Sequence, residues 1–373
     1  MIQFENVVKQ YPSGFRAVDE LDLTIPDGEI CVLIGPSGCG KTTSMRMINQ
    51  LIPLTSGRIT VDGTDNREIP TEELRRKIGY AIQQTGLFPH MTIFDNVAVV
   101  PRLLKWDESR IQKRVYRLLE LVGLEPDSTG GKYPRQLSGG QQQRVGVARA
   151  LGADPPIMLM DEPFGAVDPI TRETLQDEFL QIQKELSKTI IFVTHDIDEA
   201  IKMGDRIAVM QGGKLVQFDT PDTLLAQPKN RFVRDFVGAD RQLKRLGLVR
   251  VREIMDADPP SVHFGGKVTD ALAEMKRLGL RSVFVVDREG KLKGWLDRAE
   301  AERHRSLLGA MHEASFRDIA VKESATVRDA LSAMVTRGFK VTPVVGPEGR
   351  FVGTVTLGAL QELVERSATQ GDA

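Results

Sequence analysis

The sequence predicts an α/β protein: a large domain on a parallel sheet, followed by a smaller duplicated unit. Three observations carry that expectation. Short apolar runs alternate with amphipathic helical patterns through the first part of the chain, as in a sheet covered on both faces. The apolar run Glu29–Ile34 opens directly into a glycine-rich turn and then a helical pattern. Beyond residue 250 a stretch recurs after 59 positions, with Val268-Thr-Asp-Ala-Leu-Ala-Glu-Met matching Val327-Arg-Asp-Ala-Leu-Ser-Ala-Met.

Each element follows from its own residues. Ile2–Val8 reads as a strand, and Ser56-Gly57 and Asp62-Gly63 mark turns. A helix is expected from Lys41 to Asn49. Between Trp106 and Val122, the residues Ile111, Val115, Leu118, Leu119 and Val122 fall on one helical stripe. Ile157–Met160 and Thr189–Val193 are further buried strands. Asp219-Thr220-Pro221 is a turn that caps a helix near Asp222. The basic, polar stretch Lys229–Arg252 reads as a partly helical connector. In the duplicated unit each copy runs helix, strand, turn, strand, with turns at Glu289-Gly290 and Glu348-Gly349. The expected divisions are a large domain over 1–235, a connector over 236–251, and the two copies over 252–310 and 311–373.

Composition excludes several classes. The chain has 373 residues, 41% of them hydrophobic, so it is not a disordered polymer. Fifty basic residues face 51 acidic ones, for a net charge of -1, which argues against an electrostatic nucleic-acid binder. Cys31 and Cys39 are the two cysteines, too few for a disulfide framework. No apolar run approaches the roughly 18 residues of a membrane span. The chain is therefore expected to be neither secreted nor integral to a membrane, though free to dock on a membrane partner.

Gly35-Pro36-Ser37-Gly38-Cys39-Gly40-Lys41-Thr42 fits G-x-x-x-x-G-K-[ST]. Glycines at these places let backbone N–H groups converge on phosphate oxygens, and the following helix turns its positive end to the same anion. A chance match in a chain this long is on the order of one in a hundred, and this one sits between an apolar strand and a helix. Lys41 is expected to reach the β- and γ-phosphates and Thr42 to ligate Mg²⁺. Ile157-Met158-Leu159-Met160-Asp161-Glu162 delivers two acids at the end of a buried strand, where ligands bind in open α/β sheets. Neighbouring side chains on a strand diverge, so Asp161 suits the metal and Glu162 the attacking water.

Leu137-Ser138-Gly139-Gly140-Gln141-Gln142-Gln143-Arg144 narrows the reading. It resembles the signature motif of ABC (ATP-binding cassette) ATPases. That resemblance covers about residues 1–235 and implies an ABC-type P-loop ATPase domain with a helical subdomain, working as a head-to-tail homodimer on ATP and Mg²⁺. Each nucleotide would lie between Gly35, Ser37, Gly38, Gly40, Lys41, Thr42 and Thr43 of one protomer and Ser138, Gly139, Gly140 and Gln141 of the other. Tyr11 matches the residue that stacks on adenine. Gln83 matches the glutamine that reaches metal and water, with Gln84 as the competing register. Asp168, in Gly165–Asp168, matches the loop linking the two sites, and His195 the histidine that contacts the γ-phosphate. The implied catalytic set is Glu162, His195 and Gln83; the implied metal set is Thr42, Gln83 and Asp161. His90, His263, His304 and His312 lack such context and read as surface or packing residues.

The two copies, over 252–305 and 314–366, resemble CBS (cystathionine β-synthase-type) domains. One cassette followed by a CBS pair is similar to the ATPases of quaternary-amine uptake systems for glycine betaine, choline, carnitine and proline betaine. The implied partners are integral-membrane permease subunits and a separate substrate-binding protein, with the chain peripheral on the cytoplasmic face of the membrane. The permease contact is expected after Gln83, over Thr85–Val97, with Leu87, Phe88, Met91 and Phe94 divided between core and interface. Another small solute, or an ATP-clamp protein without transport, stays open as an alternative. CBS nucleotide sites commonly pair a Ser or Thr with an Asp three residues on. Here Asp297 and Glu300, and Thr356 and Ala359, hold those places, so neither pair is complete. A cyclic dinucleotide, an anionic lipid or direct sensing of ionic strength stays open for the CBS pair. Lys276, Arg277, Arg281, Lys291, Lys293, Arg298, Arg303 and Arg305 make the first copy locally basic, either as a solvated face or as an attractive one.

Overall fold

A computed structural model describes residues 1–82, 86–165 and 167–369. They divide into two compact units, Met1–Leu224 with Pro228–Val237, and Leu225–Gln227 with Gly238–Ala373.

The first unit contains two sheets. Strands β1 (Ile2–Gln10), β2 (Arg16–Ile25), β4 (Ser56–Val61) and β5 (Thr64–Asp65) form an antiparallel sheet in the order β2-β1-β4-β5. Strands β3 (Ile30–Ile34), β6 (Ile78–Ala81), β7 (Ile157–Asp161), β8 (Thr189–Val193), β9 (Arg206–Gln211) and β10 (Lys214–Asp219) form the second, in the order β10-β9-β3-β8-β7-β6. All neighbours from β9 to β6 are parallel, and β9 and β10 form an antiparallel hairpin. Every residue of β3, β7 and β8 is buried, as their unbroken apolar runs require. One core joins the sheets: Leu33, Ile191 and Val193 pack with Ile2, Val7 and Leu23, and helix Lys41–Ile48 adds Met45 and Met47. The central strands β3, β8 and β7 end side by side. The Gly35 turn, the His195 turn and the Asp161-Glu162 pair therefore share one edge of the sheet.

Helices Ile93–Leu103, Glu108–Leu121 and Gly139–Leu151 pack on one another as a helical layer. The stripe expected from Trp106 begins later because Asp107 accepts from the Ser109 N–H and caps the helix there. Ile111, Val115, Leu118 and Leu119 are buried as one face. Trp106 lies outside it, with the Arg110 guanidinium 3.6 Å over its ring.

The second unit carries the duplication into backbone detail. Helices Val268–Leu278 and Val327–Arg337 both stop at a left-handed glycine, Gly279 at φ 67° and Gly338 at φ 69°. Strands β11 (Ser261–His263), β12 (Ser282–Val286), β13 (Leu292–Asp297) and β14 (Met311–Glu313) form one sheet, and β15 (Val321–Lys322), β16 (Val341–Val345) and β17 (Phe351–Thr356) the other. Val283 faces Leu296 and Thr342 faces Val355, and each hairpin has its register shift after the pair that includes Gly294 or Gly353. The expected connector folds into helix Arg241–Leu246, and Leu246 and Val251 are buried with Val327 and Met334 in the core of the second copy.

Candidate active site

The glycine-rich turn leaves β3 through backbone conformations that side chains oppose. Gly38 and Gly40 lie at φ 78° and 104°. A Cβ on Gly40 would stand 2.3 Å from the Ala17 carbonyl oxygen, whereas one on Gly38 would meet nothing within 4 Å. Gly40 thus serves packing, and Gly38, with Ser37, forms the open rim of the loop. Lys41 is 8% exposed, and its Nζ donates to the Gly35 carbonyl at 2.7 Å and the Pro36 carbonyl at 3.1 Å. Its charge is held inside the cradle where a phosphate would sit. Thr42 and Thr43 are half-buried in the first turn of the helix.

Asp161 comes to the same point from β7, 119 residues away in sequence. Its Oδ1 accepts from the Thr42 hydroxyl at 3.0 Å. Its Oδ2 is buried without a hydrogen-bond partner, and the Arg46 guanidinium stands 3.8 Å from it. Burial raises the Asp161 carboxyl above the ordinary range, against the opposing pull of Thr42 and Arg46. The Thr42 hydroxyl and the Asp161 carboxylate, with its unsatisfied buried Oδ2, form a hard-oxygen pair suited to Mg²⁺. Arg46 was not singled out by the motifs. The signal that finds it is helical spacing, four residues from Thr42 on the same face.

Glu162 departs from the strand. It is a non-glycine residue at φ 48°, a strained conformation found at functional sites. Its N–H donates to the Val193 carbonyl at 2.9 Å, which ties it to the end of β8. Its Oε1 is 3.1 Å from His195 Nδ1. The structure therefore brings together the base and histidine expected from sequence, which are 33 residues apart. Gln143, one turn into helix Gly139–Leu151, donates from Nε2 to the Glu162 carbonyl at 2.7 Å. No spacing in the sequence announces that contact.

The remaining site residues occupy caps and edges. Ser138 is the N-cap of helix Gly139–Leu151: its hydroxyl accepts from the Gln141 N–H, and Gln141 Oε1 accepts from the Ser138 N–H at 3.0 Å. Ser138 and Gly139 are exposed, and a Cβ on Gly139 would meet nothing within 4 Å. This helix end is open to an anion, with Gly140 half-buried beside it. Asp168 caps helix Pro169–Leu186 by accepting from the Thr171 N–H at 3.1 Å, and such hydrogen bonds hold its carboxyl below the usual range. Tyr11 is half-buried in a turn, with the Lys9 ammonium 5.1 Å from its ring centroid. Gln83 and Gln84 lie outside the described residues, as does Thr85. Of the expected docking residues, Leu87 is buried and Phe88 is 41% exposed.

In the second unit five residues of the basic run are paired with neighbouring acids. Arg277 meets Glu274, Lys291 meets Glu289, Lys293 meets Asp287, Arg298 meets Glu302 and Arg303 meets Glu300, all within 3.4 Å. Exposed pairs of this kind are weak and sensitive to salt. Asp297 Oδ2 is 3.4 Å from His312 Nε2, and Thr356 accepts from the Ala359 N–H at 3.1 Å. No cluster of three metal-ligating side chains occurs among the described residues, and no helix there is long and apolar enough to cross a membrane.

Comparison with known proteins finds two kinds of domain. The ABC transporter family model matches residues 18–165, and the CBS domain model matches 251–303 and 314–366. The glycine betaine/carnitine/choline transport ATP-binding protein OpuCA of Bacillus subtilis is 46% identical over 98% of this chain and 96% of its own. The osmoprotectant import ATP-binding protein OsmV of Salmonella typhimurium is 45% identical over 99% of this chain and 98% of its own. Among solved structures, a dimeric ATP-binding cassette in a post-hydrolysis state, bound to ADP and Pi, is 35% identical. It covers 59% of this chain and 98% of its own, with a TM-score of 0.55.

Proposed function

Since this chain belongs to the ATP-binding subunits of ABC transporters and carries their cassette ahead of a CBS pair, we propose that it hydrolyses ATP to power uptake of quaternary-amine osmoprotectants such as glycine betaine, carnitine and choline. The observation that supports catalysis most directly is the meeting of Glu162, His195, Asp161 and Thr42 at the mouth of the Lys41 cradle. Likeness to the betaine, carnitine and choline subunits over almost the whole chain supports the solute class.

In this reading Lys41 neutralises the β- and γ-phosphates, and Thr42, Asp161 and Gln83 hold Mg²⁺, which when bound would screen the phosphate charge. Glu162 orients the attacking water and takes its proton. The water oxygen bonds to the γ-phosphorus as the bond to the β-γ bridging oxygen breaks, leaving ADP and phosphate. His195 holds the γ-phosphate in line. Tyr11 stacks on the adenine. Ser138 and Gly139 of a second copy close the site from the other side, so the working unit is a dimer.

The dimer docks on integral-membrane permease subunits at the cytoplasmic face, and a separate binding protein selects the amine. A groove lined by Ile78, Phe88, Val99, Val100, Arg149 and Pro155 suits the permease contact. The CBS pair regulates transport through a cyclic dinucleotide or an anionic lipid. The decisive experiment is ATP-driven uptake of labelled glycine betaine, carnitine and choline by the complex reconstituted in liposomes. Uptake of these amines that disappears with Lys41→Ala supports the reading. A complex that hydrolyses ATP in response to another solute and carries none of the three rejects the substrate class.

A further inference from the structure

The His195 side chain is 71% exposed, so packing does not hold its ring. Besides its contact with Glu162, the turn that carries it sets where it stands. Thr194 is 2% exposed and donates from its N–H to the Leu33 carbonyl of β3 at 3.3 Å. Its hydroxyl oxygen accepts from the Asp196 N–H at 3.1 Å, which closes the turn around His195. That hydroxyl is in turn hydrogen-bonded to Glu199. Glu199 is a buried acid, 9% exposed, that the chemistry above leaves unused. Its second oxygen accepts from Gln176 Nε2 at 3.0 Å. Gln176 is itself 5% exposed and belongs to helix Pro169–Leu186, the helix that Asp168 caps.

We infer that Glu199 is a positioning residue for hydrolysis, fastening the turn that carries His195 to the helix that Asp168 opens. The geometry has three links: Gln176 to Glu199, Glu199 to Thr194, and Thr194 to the backbone after His195. The first two are hydrogen bonds between buried groups, where water does not compete, and the third is partly buried. Burial raises the Glu199 carboxyl above its ordinary range, the cost of placing an acid there. Glu199 touches neither nucleotide nor water in this account. It decides where His195 stands relative to Glu162 and the γ-phosphate, and a small misplacement of such a group slows chemistry without weakening binding.

The inference rests on the assignment of His195 to the phosphate site, and the test separates the two. Steady-state ATPase kinetics are measured on the full-length chain. Glu199→Ala is expected to lower kcat about tenfold while leaving KM for ATP within about twofold. Thr194→Val, which keeps the volume and removes the hydroxyl, should reproduce that loss in a folded protein. Glu199→Gln, which keeps the shape and can still bond both neighbours, should restore most of the rate. In a His195→Ala background, Glu199→Ala should cost nothing further, because the group it positions is gone. An equal loss in both backgrounds overturns the inference and leaves the His195 assignment standing. So does a rise in KM with kcat unchanged. Full activity of His195→Ala alone overturns both.

Discussion

At Gly40 the backbone is turned to φ 104°, and a Cβ would collide with the Ala17 carbonyl. Gly40→Ala is therefore expected to destabilise the cassette by about 1–3 kcal/mol, seen as a lower thermal midpoint and weaker nucleotide binding. Glu162 asks a different question. Glu162→Gln keeps size and hydrogen-bonding reach but cannot accept a proton, so ATP binding should persist while hydrolysis falls roughly 10²–10⁴-fold. Lys41→Ala should weaken binding itself, because its charge is the one placed within the phosphate cradle. Nucleotide titration and turnover, measured side by side on the two variants, check the assignment. Wild-type turnover in Glu162→Gln would remove Glu162 as the base.

Elements carry these residues to one edge, and the buried acid Glu199 contributes to a pH dependence. Burial raises the Glu199 carboxyl in the folded state. The native protein thus holds this proton more tightly than the unfolded chain. Stability from this group is greatest on the acid side, declines as pH rises from the ordinary carboxylate value to the raised one, and is flat above it. Burial of Asp161 acts in the same direction, whereas Asp65 and Asp168, whose carboxyls are lowered, act in the opposite one. Glu199→Gln should remove its share, so as pH rises above the ordinary carboxylate value of about 4.3 the variant's denaturation midpoint should lose less, or gain more, than that of the unaltered chain. An unchanged slope would show that Glu199 keeps an ordinary pKa. The element boundaries illustrate how far pattern reading extends: the stripe Ile111–Leu119 was legible from its period, but its start was decided by the Asp107 cap.

For the whole molecule, the proposed dimer would set the open helix end at Ser138 and Gly139 against the nucleotide of a second copy. Mixing Lys41→Ala with Ser138→Arg chains should yield heterodimers with one intact composite site and one doubly damaged site. ATP-dependent dimerisation should therefore recover in the mixture, while each variant alone fails. Closure of a Ser138→Arg homodimer around ATP at the wild-type concentration would sink the composite site. Truncation after Val237 follows the boundary between the two compact units and spares the core that contains Leu246 and Val251 from being cut in half. The shortened chain should retain hydrolysis and lose control of uptake by salt or ligand. The ion pairs of the first CBS copy refine that expectation. Neutralising Arg277, Lys291 and Lys293 would leave Glu274, Glu289 and Asp287 without those partners, turning three neutral pairs into three negative sites, so the triple variant should bind anionic vesicles more weakly.

The sequence by itself determined the cassette motifs, the buried strands Ile157–Met160 and Thr189–Val193, and the duplication at 59 residues. These are local properties: the period of apolar residues, the steric freedom of glycine and the order of residues around a turn are written along the chain. Only the tertiary structure decided which groups meet. It set Asp161 against Thr42, Gln143 under the Glu162 carbonyl, and Glu199 between Gln176 and Thr194. It also paired Arg277, Lys291, Lys293, Arg298 and Arg303 of the first CBS copy with neighbouring acids. Such contacts depend on strand order, helix packing and the desolvation of particular atoms, which no short stretch of residues specifies.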